Sequence, residues 1–346
     1  MSLRSDTPLI DTRNRPLRSL RVSVTDRCNL RCQYCMPEED YVWIPRRDLL
    51  SFEEMDNLVA LLVELGIERL RLTGGEPLLR RDLAALVKMF AARSGLRDLS
   101  LTTNGILLAD CAQKLADAGL HRITVSLDTL QPERFKSLTR RDDLGAVLAG
   151  IQAARATGLA GLKINTVVMR GFNDDELVEL IEFGKSVEAE VRFIEYMDVG
   201  GATGWSPQQV VSRGEILELL GRHYGAIEPA QREDRAPAER FVLPDSTRFG
   251  IVSSTTAPFC SSCDRSRLTA DGLWYLCLYA DQGIDLTSPL RNGASNEAIS
   301  LVIASAWQRR VDRGAEDRLA IPNRSVLVSV STLRKQHHLE MHTRGG

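Results

Sequence analysis

Apolar positions along the first two-thirds of the chain follow two alternating rhythms. Short β-branched runs predict strands at residues 20–25, 69–73, 98–103, 122–127, 162–168 and 191–195. Between them lie amphipathic stretches with helical spacing, as in Leu58, Leu61, Leu62 and Leu65. Ser51 and Glu54 form a capping-box pattern ahead of that stretch, and Gly66 closes it. Asp110 is read as opening a second helix that Gly119 ends. Gly158 follows a third, and Asp174 and Asp175 begin a fourth. Strand starts lie 24 to 49 residues apart, which suits βαβ crossovers and a parallel sheet.

Six such units predict an α/β fold built on an incomplete (β/α)6 barrel, TIM-like but stopping short of eight units. A doubly wound sheet would alternate in the same way. The strand ends favour the barrel, because barrels gather their chemistry at the C-terminal ends of strands. Those ends carry a cysteine loop after Thr25, then Thr73-Gly74-Gly75-Glu76-Pro77, Thr102-Thr103-Asn104-Gly105 and Ser126-Leu127-Asp128.

Beyond about Tyr224 the character changes. Residues 229–240, rich in Arg, Glu, Ala and Pro, read as a linker or exposed loop. Short strands are expected at 241–243, 248–252, 267–269 and 274–276, and a helix at 296–311. The chain therefore divides into a core, residues 1–230, and a C-terminal α+β extension, residues 231–346. The last residues, with His337, His338 and Gly345-Gly346, are expected to be mobile.

Charge changes the picture little. The chain's 346 residues include 44 Lys and Arg against 46 Asp and Glu, a net charge of −2 that argues against a general nucleic-acid coat. No apolar run approaches the roughly 18–20 residues of a membrane span. Arg4, Asp6, Asp11, Arg13 and Arg15 interrupt any secretory apolar core. A cytoplasmic protein with no nucleic-acid or membrane partner is expected.

The cysteines change it a great deal. There are seven, an odd number without an export signal, which favours metal or redox chemistry over disulfides. Cys28, Cys32 and Cys35 form one group, Cys260, Cys263 and Cys277 another. Cys111 stands alone on a predicted helix and reads as a small packing residue. Three soft thiolates can hold three corners of a 4Fe-4S cluster and leave one iron open to a chelating molecule. Structural zinc takes four protein ligands, and no fourth Cys or His lies near the first group. For the second group His223 or a terminal His would serve, so zinc stays open there. Arg265 and Arg267, two apart on a strand, share one face and suit an anion pocket.

The first cysteine spacing, with Tyr34 inside it, resembles the signature of the radical S-adenosylmethionine superfamily, and Gly74-Gly75-Glu76-Pro77 resembles its GGEP stretch. Residues 11–20, both cysteine groups, the Arg265–Arg267 segment and the double-glycine end together resemble the GTP 3′,8-cyclase family (molybdenum cofactor biosynthesis protein A family). The resemblance implies two 4Fe-4S clusters on these six cysteines, with S-adenosylmethionine chelated at the first and the guanine of GTP at the second. It implies Tyr34, Gly75, Ser126 and Met197 as S-adenosylmethionine contacts. For GTP it implies Arg21, Arg71, Thr102, Lys163, Arg265 and Arg267, with Arg21, Arg265 and Arg267 also catalytic. Asn165 and Arg192 are weaker candidates and receive no site role.

The implied reaction is a lyase step early in molybdenum cofactor biosynthesis. A 5′-deoxyadenosyl radical takes hydrogen from C3′ of GTP, C3′ bonds to C8, and reduction yields 3′,8-cyclo-7,8-dihydro-GTP. Implied partners are an electron donor, a second copy of the chain in a homodimer, and the next enzyme, cyclic pyranopterin monophosphate synthase. The Gly-Gly end is expected to reach the active site, although Met341-His342-Thr343-Arg344 makes a more polar lead-in than relatives carry. Two other readings stand beside this one. A radical S-adenosylmethionine peptide-maturation enzyme would usually have more C-terminal cysteines. A zinc-stabilised nucleotide- or RNA-binding protein would hold zinc in place of iron.

Overall fold

Side chains on the early strands divide by parity, as a period-two backbone requires. Leu20 and Val22, Leu70 and Leu72, Leu99 and Leu101, Ile123 and Val125 are fully buried. They join one core with the helix residues Leu58, Leu62, Leu86, Val147 and Ile181. Their alternates, including Arg21, Arg71, Thr102, Ser126 and Lys163, line an internal cavity. One face of the sheet is thus committed to helices and the other to chemistry. The computed structural model describes residues 8–231 and 235–345.

The repeating units are β1 (Ser19–Ser23), α1 (Phe52–Glu64), β2 (Arg69–Thr73), α2 (Leu83–Ala91), β3 (Asp98–Thr103), α3 (Ala112–Asp117) and β4 (Arg122–Ser126). They continue with α4 (Pro132–Thr139), α5 (Leu144–Ala156), β5 (Lys163–Val168), α6 (Leu177–Ser186), β6 (Glu190–Glu195) and α7 (Arg213–Tyr224). Then come β7 (Glu228–Pro229), β8 (Glu239–Val242), β9 (Arg248–Val252), β10 (Arg265–Leu268), β11 (Leu273–Tyr275) and β12 (Ile284–Asp285). Four helices finish the chain: α8 (Thr287–Arg291), α9 (Asn296–Gln308), α10 (Gly314–Leu319) and α11 (Val330–Leu333).

All twelve strands form one open sheet in the order β12-β11-β10-β1-β2-β3-β4-β5-β6-β9-β8-β7. The six parallel strands predicted from sequence are present as β1 to β6, in a sheet consistent with a partial barrel, and the extension enlarges that sheet. Strand β10 runs parallel beside β1, and β9 parallel beside β6, so eight neighbouring strands share one direction. Residues 230–238 connect β7 to β8, with 232–234 outside the described residues. The linker expected at 229–240 is thus corrected at its ends, where Pro229 lies in β7 and Glu239 and Arg240 in β8.

Helix starts match expectation at α1 and fall a few residues later at α3 and α6. At α1 the predicted box is complete: Glu54 N–H donates to Ser51 Oγ at 3.1 Å and Ser51 N–H to Glu54 at 2.8 Å. Helix α3 begins at Ala112, with Cys111 and not Asp110 at its cap. Helix α6 begins at Leu177, because Asp174 accepts from Gly171 N–H at 2.9 Å and closes the turn before it. Cys111 is half-buried against the core, its thiol 3.2 Å from the Leu107 carbonyl, as a packing residue would be.

The expectation of a mobile C-terminal segment is corrected for residues 337–345. His338 meets Asp271 at 2.6 Å, and His342 and Arg344 are buried. Arg344 donates to the carbonyls of His338, Leu278 and Ala280 and lies 4.2 Å from the Tyr275 ring. Polar side chains in this segment find interior acceptors, so polarity does not imply solvent here. Gly346, Arg4 and Asp6 lie outside the described residues. No helix among the described residues is long and apolar enough to cross a membrane.

Candidate functional site

The first cysteine loop leaves the end of β1 and folds back on itself. Cys35 and Met36 N–H groups donate to the Cys32 carbonyl at 3.0 and 2.7 Å, and Leu30 N–H points at the Cys28 sulfur at 3.4 Å. The two glycines after β2 are bare because this loop lies on them. A Cβ on Gly74 would sit 2.3 Å from the Thr25 carbonyl, and one on Gly75 would sit 2.3 Å from that of Arg27. Glu76 then fixes the neighbouring strand end by accepting from Thr103 Oγ1 at 2.7 Å and Asn104 N–H at 2.8 Å. Burial pushes the Glu76 carboxyl up to about 7. It also pushes the Cys28 thiol up to about 11 and raises Cys32 and Cys35, Cys32 under the added repulsion of Asp128 and then of Cys35 and Cys28, and Cys35 under that of Cys28 and Glu340. Three thiolates cannot stand together here without a positive centre.

The second group sits across the cavity. Cys260 opens a single 3-10 turn (Cys260–Ser262) that Cys263 caps ahead of β10, and Cys277 follows β11. Burial opposes the Cys263 thiolate, but Arg265 and Arg310 outweigh it and bring the thiol down to about 7. Burial dominates at Cys277, whose thiol rises to about 11.

Between the two groups the sheet register assembles cations. Arg267 of β10, Arg21 of β1 and Arg71 of β2 are direct neighbours across three parallel strands. Lys163 of β5 and Arg192 of β6 extend the cationic lining of the same cavity, whose volume is about 400 Å³. Burial lowers the pKa of Arg21, Arg71, Arg267 and Lys163, and crowding of like charges adds to it. Arg267 falls to about 9, Arg71 to about 10 and Lys163 to about 7, and Arg21 is lowered by burial, then by Arg267 and Arg71. Such a row is electrostatically costly until an anion fills it.

Part of that cost is met by the chain itself. Arg267 Nη1 donates to the carbonyls of Arg344 and Gly345 at 2.8 and 2.6 Å, and Arg21 Nη1 donates to Gly345 at 3.0 Å. Gly345 has φ +69°, and a Cβ there would lie 2.3 Å from the Thr73 methyl. Its docking needs glycine.

All sixteen residues singled out from sequence border this one cavity: the six cysteines, Arg21, Arg71, Arg265, Arg267, Lys163, Thr102, Tyr34, Gly75, Ser126 and Met197. Arg71 donates to Thr102 Oγ1 at 3.0 Å, and Tyr34 donates to Asp128 at 2.7 Å. Burial lifts the Asp128 carboxyl to about 6, against the bonds from Tyr34 and the Val167 N–H. Sequence reasoning gave no role to Arg122, Arg192 or Arg235, which line the same space. Parity was the available signal for the first two: each stands on a barrel strand, at the positions whose strand neighbours are fully buried apolar residues.

The donor chemistry suits iron–sulfur clusters. All six thiols are free, the two sets ring open space, and each set offers three soft ligands. Among the described residues no group of three or more His, Cys, Asp or Glu side chains is arranged to hold a single metal ion.

Comparison with known proteins extends these observations. Residues 22–184 match the Radical SAM superfamily, and residues 189–315 match Molybdenum Cofactor Synthesis C. The chain is 56% identical over 340 residues to GTP 3′,8-cyclase 1 of Mycobacterium tuberculosis, covering 97% of this chain and 95% of that one. It is 43% identical to the GTP 3′,8-cyclase of Aquifex aeolicus, over 90% and 95% of the two chains. Among solved structures, SuiB of Streptococcus suis bound to S-adenosylmethionine aligns at a TM-score of 0.57 and 16% identity. That alignment covers 83% of this chain and 69% of SuiB, and shows a shared fold. With identity of this depth across both of its parts, the chain belongs to the GTP 3′,8-cyclase family of the radical S-adenosylmethionine superfamily.

Proposed function

We propose that this protein converts GTP to 3′,8-cyclo-7,8-dihydro-GTP with S-adenosylmethionine as radical source. The observation that carries the reading is the placement of the two cysteine groups and the Arg267–Arg21–Arg71 row around a single cavity. Cys28, Cys32 and Cys35 would hold one 4Fe-4S cluster, and Cys260, Cys263 and Cys277 a second. Bound there, the first would supply the electron that cleaves S-adenosylmethionine, and the second an open iron for the purine.

The chain's own residues then bind and orient. Arg21, Arg71, Lys163, Arg265 and Arg267 neutralise the triphosphate, arginine forks contributing bidentate contacts. Thr102, already held by Arg71, offers a small hydroxyl toward the nucleoside. Tyr34, Gly75, Ser126 and Met197 surround S-adenosylmethionine, with Tyr34 anchored on Asp128. Arg21, Arg265 and Arg267 act as the catalytic arginines by fixing GTP relative to the radical source, since proximity is most of what the protein adds. Residues 1–230 serve as the radical core and 231–346 as the substrate-holding extension. This reading brings with it an external electron donor, a homodimer, and hand-off of product to cyclic pyranopterin monophosphate synthase.

The direct test is anaerobic incubation with GTP, S-adenosylmethionine and a reductant, followed by identification of the purine product. Formation of 5′-deoxyadenosine together with the 3′,8-cyclised nucleotide supports the reading. Iron-replete protein that leaves GTP unchanged would sink it.

A further inference from the structure

One buried cluster has no part in the cavity yet grips the second cysteine loop from behind. Residues 10–16 form a tight turn in which Arg15 donates to Asp11 through both its backbone N–H at 2.9 Å and Nε at 2.6 Å. Arg15 Nη1 reaches the carbonyls of Cys260 at 3.1 Å and Asp312 at 2.8 Å. Thr12 Oγ1 donates to the Arg310 carbonyl at 2.7 Å, and Trp307 Nε1 to that of Arg15 at 3.1 Å.

Arg310 is the centre of this cluster. Its Nε and Nη2 bind Asp312 at 3.0 Å, and Nη1 lies 3.9 Å from Asp11. The same guanidinium donates to the Cys263 carbonyl at 3.0 Å and approaches the Cys263 sulfur at 3.8 Å. Trp307 covers its face at 4.6 Å, and the residue is only 3% exposed. Arg265 reaches the same sulfur at 3.7 Å, but it borders the cavity, where an anionic substrate competes for it. Arg310 does not border the cavity, so its charge at this sulfur is permanent.

We propose that Arg310, braced by Asp11 and Asp312, is a positioning residue that fixes the Cys263 backbone and sulfur together and tunes the iron this sulfur would bind. The inference rests on the two-cluster reading above. A cationic N–H directed at a ligating thiolate withdraws electron density from it and raises the potential of the attached centre. It also keeps the sulfur aimed when Arg265 turns to substrate.

The test is a redox titration of anaerobically purified full-length protein, followed by electron paramagnetic resonance alongside iron analysis. Wild-type protein should hold about eight irons per chain and show two separable centres. In Arg310→Gln the second centre should move to lower potential while the first stays in place. Arg310→Lys, which keeps the charge without the fork, should move it the same way by less. GTP turnover should fall through kcat with KM little changed, and 5′-deoxyadenosine should still form. Iron-replete Arg310→Gln with both potentials as in wild type would overturn the proposal. If Arg310→Gln retains only about four irons, Arg310→Lys decides, and an unchanged potential there overturns it equally. Wild-type protein with only about four irons would instead refute the two-cluster reading.

Discussion

Arg21 on β1 and Arg267 on β10 stand directly abreast in parallel register, and both donate to the carbonyl of Gly345. Two guanidinium groups, 246 residues apart in sequence, thus converge on one oxygen. A neutral carbonyl is a modest acceptor for two cations, whereas a phosphate oxygen would satisfy them better.

Arg267→Ala should therefore weaken GTP binding by about 10- to 100-fold, the worth of roughly 1.5–3 kcal/mol for bonds to a charged group. Anaerobic calorimetry with the cluster-loaded protein measures it. Unaltered affinity would remove Arg267 from the substrate contacts.

Lys163 should give GTP binding a pH dependence. Burial, followed by repulsion from Arg192, brings its ammonium from the usual 10.5 down to about 7. A phosphate beside it restores the proton, so binding takes up a proton above about pH 7 and affinity falls as pH rises. In Lys163→Met that part of the pH profile should flatten. Stability gives the opposite trend. Above about pH 7 the unfolded chain holds the proton that the folded chain has released, so the stability of the native protein rises with pH up to the ordinary lysine pKa. Lys163→Met should accordingly raise the melting temperature more at about pH 6 than at about pH 10.

Cys260→Ser should separate the two halves of the chemistry. Iron content should fall from about eight to about four per chain, S-adenosylmethionine cleavage should persist, and GTP cyclisation should stop. Cyclisation at the native rate in this variant would exclude the second cluster from the reaction.

Asp198 should carry a large share of the stability joining the extension to the strand β6 region. It is completely buried and accepts from Arg318 at 2.7 Å, Arg324 at 2.6 Å and Tyr279 at 3.2 Å. Asp198→Ala leaves two arginines without their counter-charge and should cost about 3–5 kcal/mol, read from chemical denaturation. A loss below about 1 kcal/mol would show that solvent reaches these arginines readily.

Much of the site was legible in the residues alone because its chemistry is compositional. Three thiols within eight positions, or Arg265 and Arg267 two apart, keep their meaning in any fold that makes a loop or a strand of them. Arg192 was legible only in part: a cation on a buried strand needs a reason, but the reason lay in Lys163 and Arg71 on other strands. Arg310 was not legible at all, because it reads as the end of an amphipathic helix.

Sequence by itself determined the strand–helix alternation, the parity that sends leucine and valine toward helices, and the two cysteine sets. These follow from local backbone periodicity and from the ligand chemistry of sulfur. Tertiary structure alone decided that β10 lies beside β1 and β9 beside β6, which turns six parallel strands into eight. It decided that this end is ordered, with Gly345 held by the cavity-lining Arg21 and Arg267, where the residues themselves predicted mobility and only the family resemblance brought the Gly-Gly end to the active site. Both outcomes depend on contacts between residues more than fifty positions apart, those between β1 and β10 more than two hundred. No local propensity encodes such contacts; they form because burying β10, β9 and residues 337–345 removes apolar surface from water and supplies acceptors to buried arginines.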